Sequence, residues 1–185
     1  MKVRDNLEIT FLCVAILWIV YFADIVLPIN LRGFGIRPRR LDGLPGLIFS
    51  PFLHSGLSHL MSNSVALAPL LLISLTYSRK LTFKVVTFTA LAGGFGTWAF
   101  GTGYTVHIGS SGIIFGLIGF LLAIGLFRGE LLALAISMLV AAYYGWALFS
   151  FFIVLPGISW SGHFFGFIAG VTAAWLTRRK SKVAR

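Results

Sequence analysis

The chain of 185 residues is 58% hydrophobic and only 11% charged, with a mean hydropathy of +0.94. Soluble domains run at about 45–50% apolar and about 25% charged, so a soluble globular domain, a disordered tail and a secreted disulfide scaffold are excluded. The net charge of +10, on so apolar a chain, marks the edges of a membrane and not a nucleic-acid partner.

A helix needs about 20 apolar residues to cross the hydrocarbon core. The first such run covers about 9–27; it is too long for a signal-peptide core and no small-residue cleavage site follows it. It holds the one cysteine, Cys13, which has no partner for an intrachain disulfide. The next stretch, about 28–57, is longer than a plain connection. It is rich in apolar and aromatic residues such as Phe34, Leu47, Phe49 and Phe52, so it is expected to pack on the bundle or lie in the interface. A second helix is predicted over about 58–77. The uncharged run up to Phe127 is twice too long for one crossing and breaks at Gly101-Thr102-Gly103, which gives helices over about 83–100 and 111–127. The run from Leu131 to Thr177 breaks at Pro156-Gly157, which gives helices over about 131–154 and 160–177. The expected fold is therefore an all-α integral membrane protein: six transmembrane helices in one domain over 1–185, with both termini on one side. Eleven of the fifteen Lys and Arg residues then fall on the side of the termini. The positive-inside rule makes that side cytoplasmic, N-in and C-in. The exception is Arg32, Arg37, Arg39 and Arg40 in the long first outer loop.

Ionisable groups at membrane depth are costly and mark function, and here they are few. His59 and Asn63 are four apart and share a helix face; they are either polar glue between helices or donors to a site. Gly109-Ser110-Ser111-Gly112 opens the fourth helix. A serine there is commonly a cap, but a helix N-terminus also offers free N–H groups and a positive dipole end, which suit an oxyanion. In Gly162-His163-Phe164-Phe165-Gly166-Phe167-Ile168-Ala169-Gly170, Gly166 and Gly170 permit close helix contact. Gly112, Gly116, Gly119 and Ala123 form a matching small face on the fourth helix. If these faces meet, His163 comes within reach of Ser111 at one depth. Serine needs a base and histidine suits neutral pH. No carboxylate is placed to orient the histidine, which predicts a Ser–His dyad and not a triad.

Taken in order, His54-SGLS-His59-LMS-Asn63, Gly109-Ser110-Ser111-Gly112 and Gly162-His163-FF-Gly166-FIA-Gly170 resemble the three motifs of the rhomboid intramembrane serine proteases. The likeness covers about residues 9–177, as a minimal six-helix form. It implies Ser111 as nucleophile, His163 as general base and acid, and His59, Asn63 and the Ser111 backbone N–H as the oxyanion hole. His54, Gly109, Gly112, Phe115, Gly166 and Gly170 would support the site. It also implies single-span membrane proteins as substrates, cleaved toward the outer side of a prokaryotic cytoplasmic membrane without cofactor, metal or nucleic acid. Substrates would pass between helices two and five, past Phe149, Phe151, Phe152 and the loop near Pro156. Two features depart from many members: no Trp-Arg pair stands in the first loop, and Phe115 replaces a tyrosine that stacks on the histidine.

Other readings stay open on the residues alone. Ser110 could be the nucleophile. His107, four before Ser111, could be the base, although a loop position suits a solvated or substrate-facing residue better. A zinc site at His54, His59 and His107 lacks the His-Glu-x-x-His pattern, and an aspartyl protease would need two membrane aspartates. A non-proteolytic rhomboid-like binding factor would lack the serine or histidine of the dyad. A small transporter would show a polar path through the bilayer.

Overall fold

The computed structural model describes residues 2–151 and 159–178. Among these every regular element is helical. Helix α1 spans Lys2–Val26 and begins before the apolar run. Its polar first turns are held by partners: Arg4 pairs with Glu8 at 3.0 Å, and Asp5 with Arg79 at 3.1 Å.

The segment after α1 winds through short helical turns, including α2 (Gly46–Phe49), and packs on the bundle. Its charges are matched internally. Asp24 at the end of α1 takes Arg32 at 2.9 Å and the Leu31 N–H at 2.8 Å. Asp42 takes Arg37 and Arg40, each at 2.9 Å. Arg39 sits in the left-handed region, φ 59°. It donates its backbone N–H to the Trp98 carbonyl at 2.9 Å and its guanidinium to the Gly101 carbonyl at 2.8 Å. A cation at these helix-end carbonyls is favourably placed. The loop arginines thus find carboxylates and carbonyls of their own chain.

Helix α3 (Leu57–Phe88) continues through a π-helical turn, Thr89–Gly93, into α4 (Gly94–Phe100). One residue breaks it: Ser78 has φ −165° and ψ 107°. Ser74 and Thr82, eight apart, have hydroxyls 2.8 Å from one another. On a straight helix they would stand about 12 Å apart along the axis, so the chain bends sharply at Ser78. The two helices expected over about 58–77 and 83–100 are the two limbs of this segment.

Helix α5 (Ser111–Arg128) is the central element, with Leu117, Ile118, Phe120, Leu121 and Ile124 fully buried. It ends at Gly129, whose φ of 63° is the usual left-handed helix stop. The chain turns at once into α6 (Leu131–Tyr144), which tightens into a 3-10 helix over Gly145–Phe151. Ser137 fastens α6 to α5 near this turn: its Oγ accepts from the Gly125 N–H at 3.0 Å and lies 2.7 Å from the Leu121 carbonyl. Helix α7 (Trp160–Leu176) packs along α5. The expected break at Pro156-Gly157, with Phe152, lies outside the described residues.

The α5–α7 contact is backbone on backbone. A Cβ on Gly166 would overlap the Gly112 carbonyl, and one on Gly170 would overlap the Gly116 carbonyl. Gly116 is in turn covered by the Thr89 side chain. Segments Val3–Val26, Leu57–Phe100, Ser111–Arg128 and Leu131–Phe151 are each long and apolar enough to cross a membrane. Their outward faces carry large apolar side chains such as Phe11, Ile19, Leu131, Met138 and Tyr143.

Gly170→Ala should therefore force α5 and α7 apart and cost about 1–3 kcal/mol, read as a lowered thermal midpoint in detergent. Gly145→Ala, whose Cβ meets nothing within 4 Å, should leave the midpoint unchanged or slightly raised.

Candidate active site

Ser111 is the first residue of α5, and the loop before it is stitched to the first loop. Ile36 and His107 exchange backbone hydrogen bonds at 2.9 and 3.0 Å, and the Gly109 N–H donates to the Ser50 carbonyl at 2.9 Å. Gly109 takes φ +115°, which a side chain resists, and a Cβ there would lie 2.7 Å from the His59 ring. The next residue, Ser110, is buried at 1% exposure. Ser111 is half-buried and lines a cavity of about 40 Å³ with Ser50, Thr97, His107, Ser159 and Gly162. Ser110 is not part of that wall. Of the two serines, Ser111 is the accessible one.

His59 and Asn63 sit one turn apart on α3 and both face Gly109. The position of a Gly109 Cβ is 2.7 Å from His59 Nε2 and 3.2 Å from Asn63 Nδ2. His59 Nδ1 lies 3.1 Å from Ser55 Oγ. With that hydroxyl donating, the ring proton resides on Nε2, the nitrogen nearer Gly109. Asn63 Nδ2 is buried and has no hydrogen-bond partner. A buried donor without a partner is uncommon and points to a ligand or reacting group. The His59 ring and the Asn63 amide thus converge on Gly109, two residues before Ser111.

His54 lies behind them, 2% exposed and 5.1 Å from the His59 ring, edge on. Neither of its nitrogens makes a hydrogen bond of good geometry. Burial holds its pKa down at about 4, with the neighbouring His59 adding to the effect and the Phe52 carbonyl opposing it.

His163 is on the first turn of α7. The Phe115 ring stacks on it at 4.2 Å and 17°, which fixes the imidazole plane. Its Nδ1 lies 3.2 Å from Ser150 Oγ. No hydrogen bond joins Ser111 to His163 among the described residues; such bonds are often long before substrate binds. The glycine contacts that join α5 to α7 start at Gly112, next to Ser111, and Gly166, one turn from His163. They bring the two side chains to the same end of the paired helices. Ser150 is a participant the sequence reading missed. It occupies the 3-10 stretch after α6, where a lone serine among Phe149 and Phe151 carries no pattern.

His107, which a loop position suggested would be solvated or substrate-facing, is 8% exposed. The ladder to Ile36 turns its ring inward, and burial lowers its pKa against the pull of the Thr102 carbonyl. It does not approach Ser111 as a base; its nitrogens are taken by Ser159 and Thr105. Among the described residues no three His, Cys, Asp or Glu side chains gather as metal ligands would.

On the flank of the site, α3 and α6 stand apart around an apolar groove of about 720 Å³, lined by Met61, Val65, Pro69, Leu139, Tyr143 and Trp146 among others. The Tyr144 hydroxyl spans it to the Ala66 carbonyl at 3.4 Å.

The family profile described as Rhomboid domain matches residues 42–180. An uncharacterized protein of Mycobacterium tuberculosis (strain ATCC 25618 / H37Rv) is 39% identical over 183 residues, covering 93% of this chain and 75% of the relative. An uncharacterized protein of Mycobacterium leprae is 36% identical, covering 92% and 71%. A Bacillus subtilis protein named "Putative rhomboid protease YdcA" is 33% identical over 139 residues, covering 74% and 68%. No solved structure matches the chain at a significant level.

The buried His54 favours its neutral form in the folded protein. Its contribution to stability is complete above its ordinary pKa of 6.5 and is lost as the pH falls toward about 4. The thermal midpoint in detergent should drop across that window, and His54→Phe should flatten part of the drop.

Proposed function

Because the chain belongs to the rhomboid family, we propose that it is an intramembrane serine endopeptidase that works through Ser111 and His163. The observation that carries this reading is the convergence at Gly109. A nucleophile at a helix N-terminus stands beside an unpartnered buried Asn63 amide and the His59 ring.

In this mechanism His163 holds a proton on Nδ1, donated to Ser150 Oγ, which leaves Nε2 to take the proton of Ser111. The serine oxygen attacks a substrate carbonyl. The negative charge that develops is met by His59, Asn63 and the Ser111 backbone N–H, at the positive end of α5. His163 then protonates the leaving amine. Water hydrolyses the acyl-enzyme; the cavity walled by Ser50, Thr97 and Ser159 borders Ser111 and is large enough to hold it. A neutral serine thus takes the orienting part that a carboxylate plays in a triad. Stacking on Phe115 does the rest.

The substrate class is a single-span membrane protein, locally unwound. The groove between α3 and α6 is the lateral access path, because it is apolar, opens on the flank and is crossed by one long hydrogen bond. The topology in this reading is six spans with both termini in the cytoplasm of a prokaryotic cell and the site toward the outer side. The clustering of Lys and Arg beside the termini supports that orientation.

Ser111→Ala and His163→Ala should abolish cleavage of a reconstituted single-span substrate. Asn63→Ala should lower the rate by about 10²–10³. Ser150→Ala should lower kcat by roughly tenfold, a smaller loss than that of a triad carboxylate because the bond is between neutral groups. Wild-type cleavage by Ser111→Ala would overturn the proposal.

A further inference from the structure

None of these steps uses His107, yet its ring is buried and its hydrogen bonds are complete. Nδ1 lies 2.6 Å from Ser159 Oγ, and Nε2 lies 3.1 Å from Thr105 Oγ1. The proton positions follow from the neighbours. Thr105 donates its hydroxyl to the Thr102 carbonyl at 2.9 Å, so it accepts from His107, and Nε2 carries the ring proton. Nδ1 is then the acceptor for the Ser159 hydroxyl. Ser159 Oγ accepts from the Gly162 N–H at 3.1 Å, and the Ser159 carbonyl accepts from the His163 N–H at 3.1 Å. Ser159 is the cap of α7.

The two partners stand at matching places. His107 is four residues before Ser111, and Ser159 is four residues before His163. We infer that His107 is a positioning residue: its hydrogen bond to Ser159 ties the loop carrying Ser111 to the first turn of the helix carrying His163, and so sets the spacing of nucleophile and base. This rests on the protease reading above. The glycine overlaps cannot set that spacing alone. They grip at Gly166 and Gly170, one and two turns along α7, whereas Gly112 and Gly162 meet only at an ordinary 3.5 Å. At the level of the reacting side chains the stack of Phe115 on His163 holds the ring from α5, and the polar tie of His107 to Ser159 joins the loop before Ser111 to α7; the backbone pairing with Ile36 anchors its His107 end.

The test uses the full chain in detergent. It reads the rate at which a fluorophosphonate labels Ser111, together with kcat and KM on a single-span substrate and the thermal midpoint. A misplacement of 1 Å can cost about 10²-fold, so His107→Phe and Ser159→Ala should each slow labelling by roughly tenfold to 10²-fold, through kcat with KM unchanged. The double variant should be no slower than the slower single one, because both remove the same bond. His107→Asn places a carbonyl oxygen where Nδ1 was and should recover most of the rate; His107→Gln reaches toward Thr105 and should not. If His107→Phe fails to fold, Ser159→Ala and the Asn and Gln variants carry the test. Labelling by His107→Phe at the wild-type rate overturns the inference. So do losses that multiply in the double variant, or rates that merely follow the thermal midpoint. A wild type that is not labelled at Ser111 overturns the protease reading and this inference with it. A labelled wild type beside unaffected His107 variants overturns the inference alone.

Discussion

The structure depends on how closely α5 and α7 approach. Between apolar helices in lipid there is no hydrophobic gain from association, since lipid tails solvate leucine as well as another helix does. What remains is packing at short range, and Gly112, Gly116, Gly166 and Gly170 remove every side-chain atom that would hold the backbones apart. The consequence reaches beyond stability. With the helix axes drawn together, two residues at their ends, Ser111 and His163, can share chemistry although fifty-one positions separate them. Phe115, one turn along α5 from Ser111, then stacks on the His163 ring of α7.

A second constraint is the cost of polarity. The chain spends its few polar side chains on one another. Arg39 fills the carbonyls at the end of α4, Asp24 and Asp42 absorb three arginines, Ser137 satisfies backbone groups of the neighbouring α5, and Ser159 caps its own helix. The Asn63 amide, like the His54 ring and the Ser110 and Ser161 hydroxyls, is buried with a polar atom that has no partner, and of these it is the donor that faces Gly109. Its donor is held ready beside Gly109, and its desolvation has been met by the folding of the whole bundle.

Much of this was legible in the sequence, for identifiable reasons. The apolar runs are long, so the helices around Ser111–Arg128 and Trp160–Leu176 could be placed within a residue or two. His59 and Asn63 share a face through helical spacing alone, and the contacting pairs Gly112 with Gly116 and Gly166 with Gly170 each stand four residues apart. The groups that escaped notice act across the fold. Ser150 touches His163 from a segment where one hydroxyl among phenylalanines has no periodicity. His107 looked solvent-facing because its burial comes from pairing with Ile36, seventy-one residues earlier. The bend at Ser78 falls where Arg79, Lys80 and Lys84 interrupt the apolar run, so the two limbs could be told apart; the π-helical turn at Thr89–Gly93 left no mark, since one extra residue in a turn does not disturb an apolar run.

The hairpin between α5 and α6 has a mechanical consequence. Gly129 and the hydrogen bonds of Ser137 clamp α6 at one end, while the stretch beyond its other end is held by the rings of Phe151, Phe115, Phe164 and Phe167. From Ser137 to Ser150 is roughly 20 Å at a helical rise of about 1.5 Å per residue. Measured from the Gly129 end, the segment has the reach of a lever, with Ser150 near its far end. A tilt of about 5° moves the far end by nearly 2 Å by that geometry, more than enough to part Ser150 from His163. In the proposed mechanism, a tilt that widened the groove would draw Ser150 from the His163 imidazole and leave the ring to its stack on Phe115.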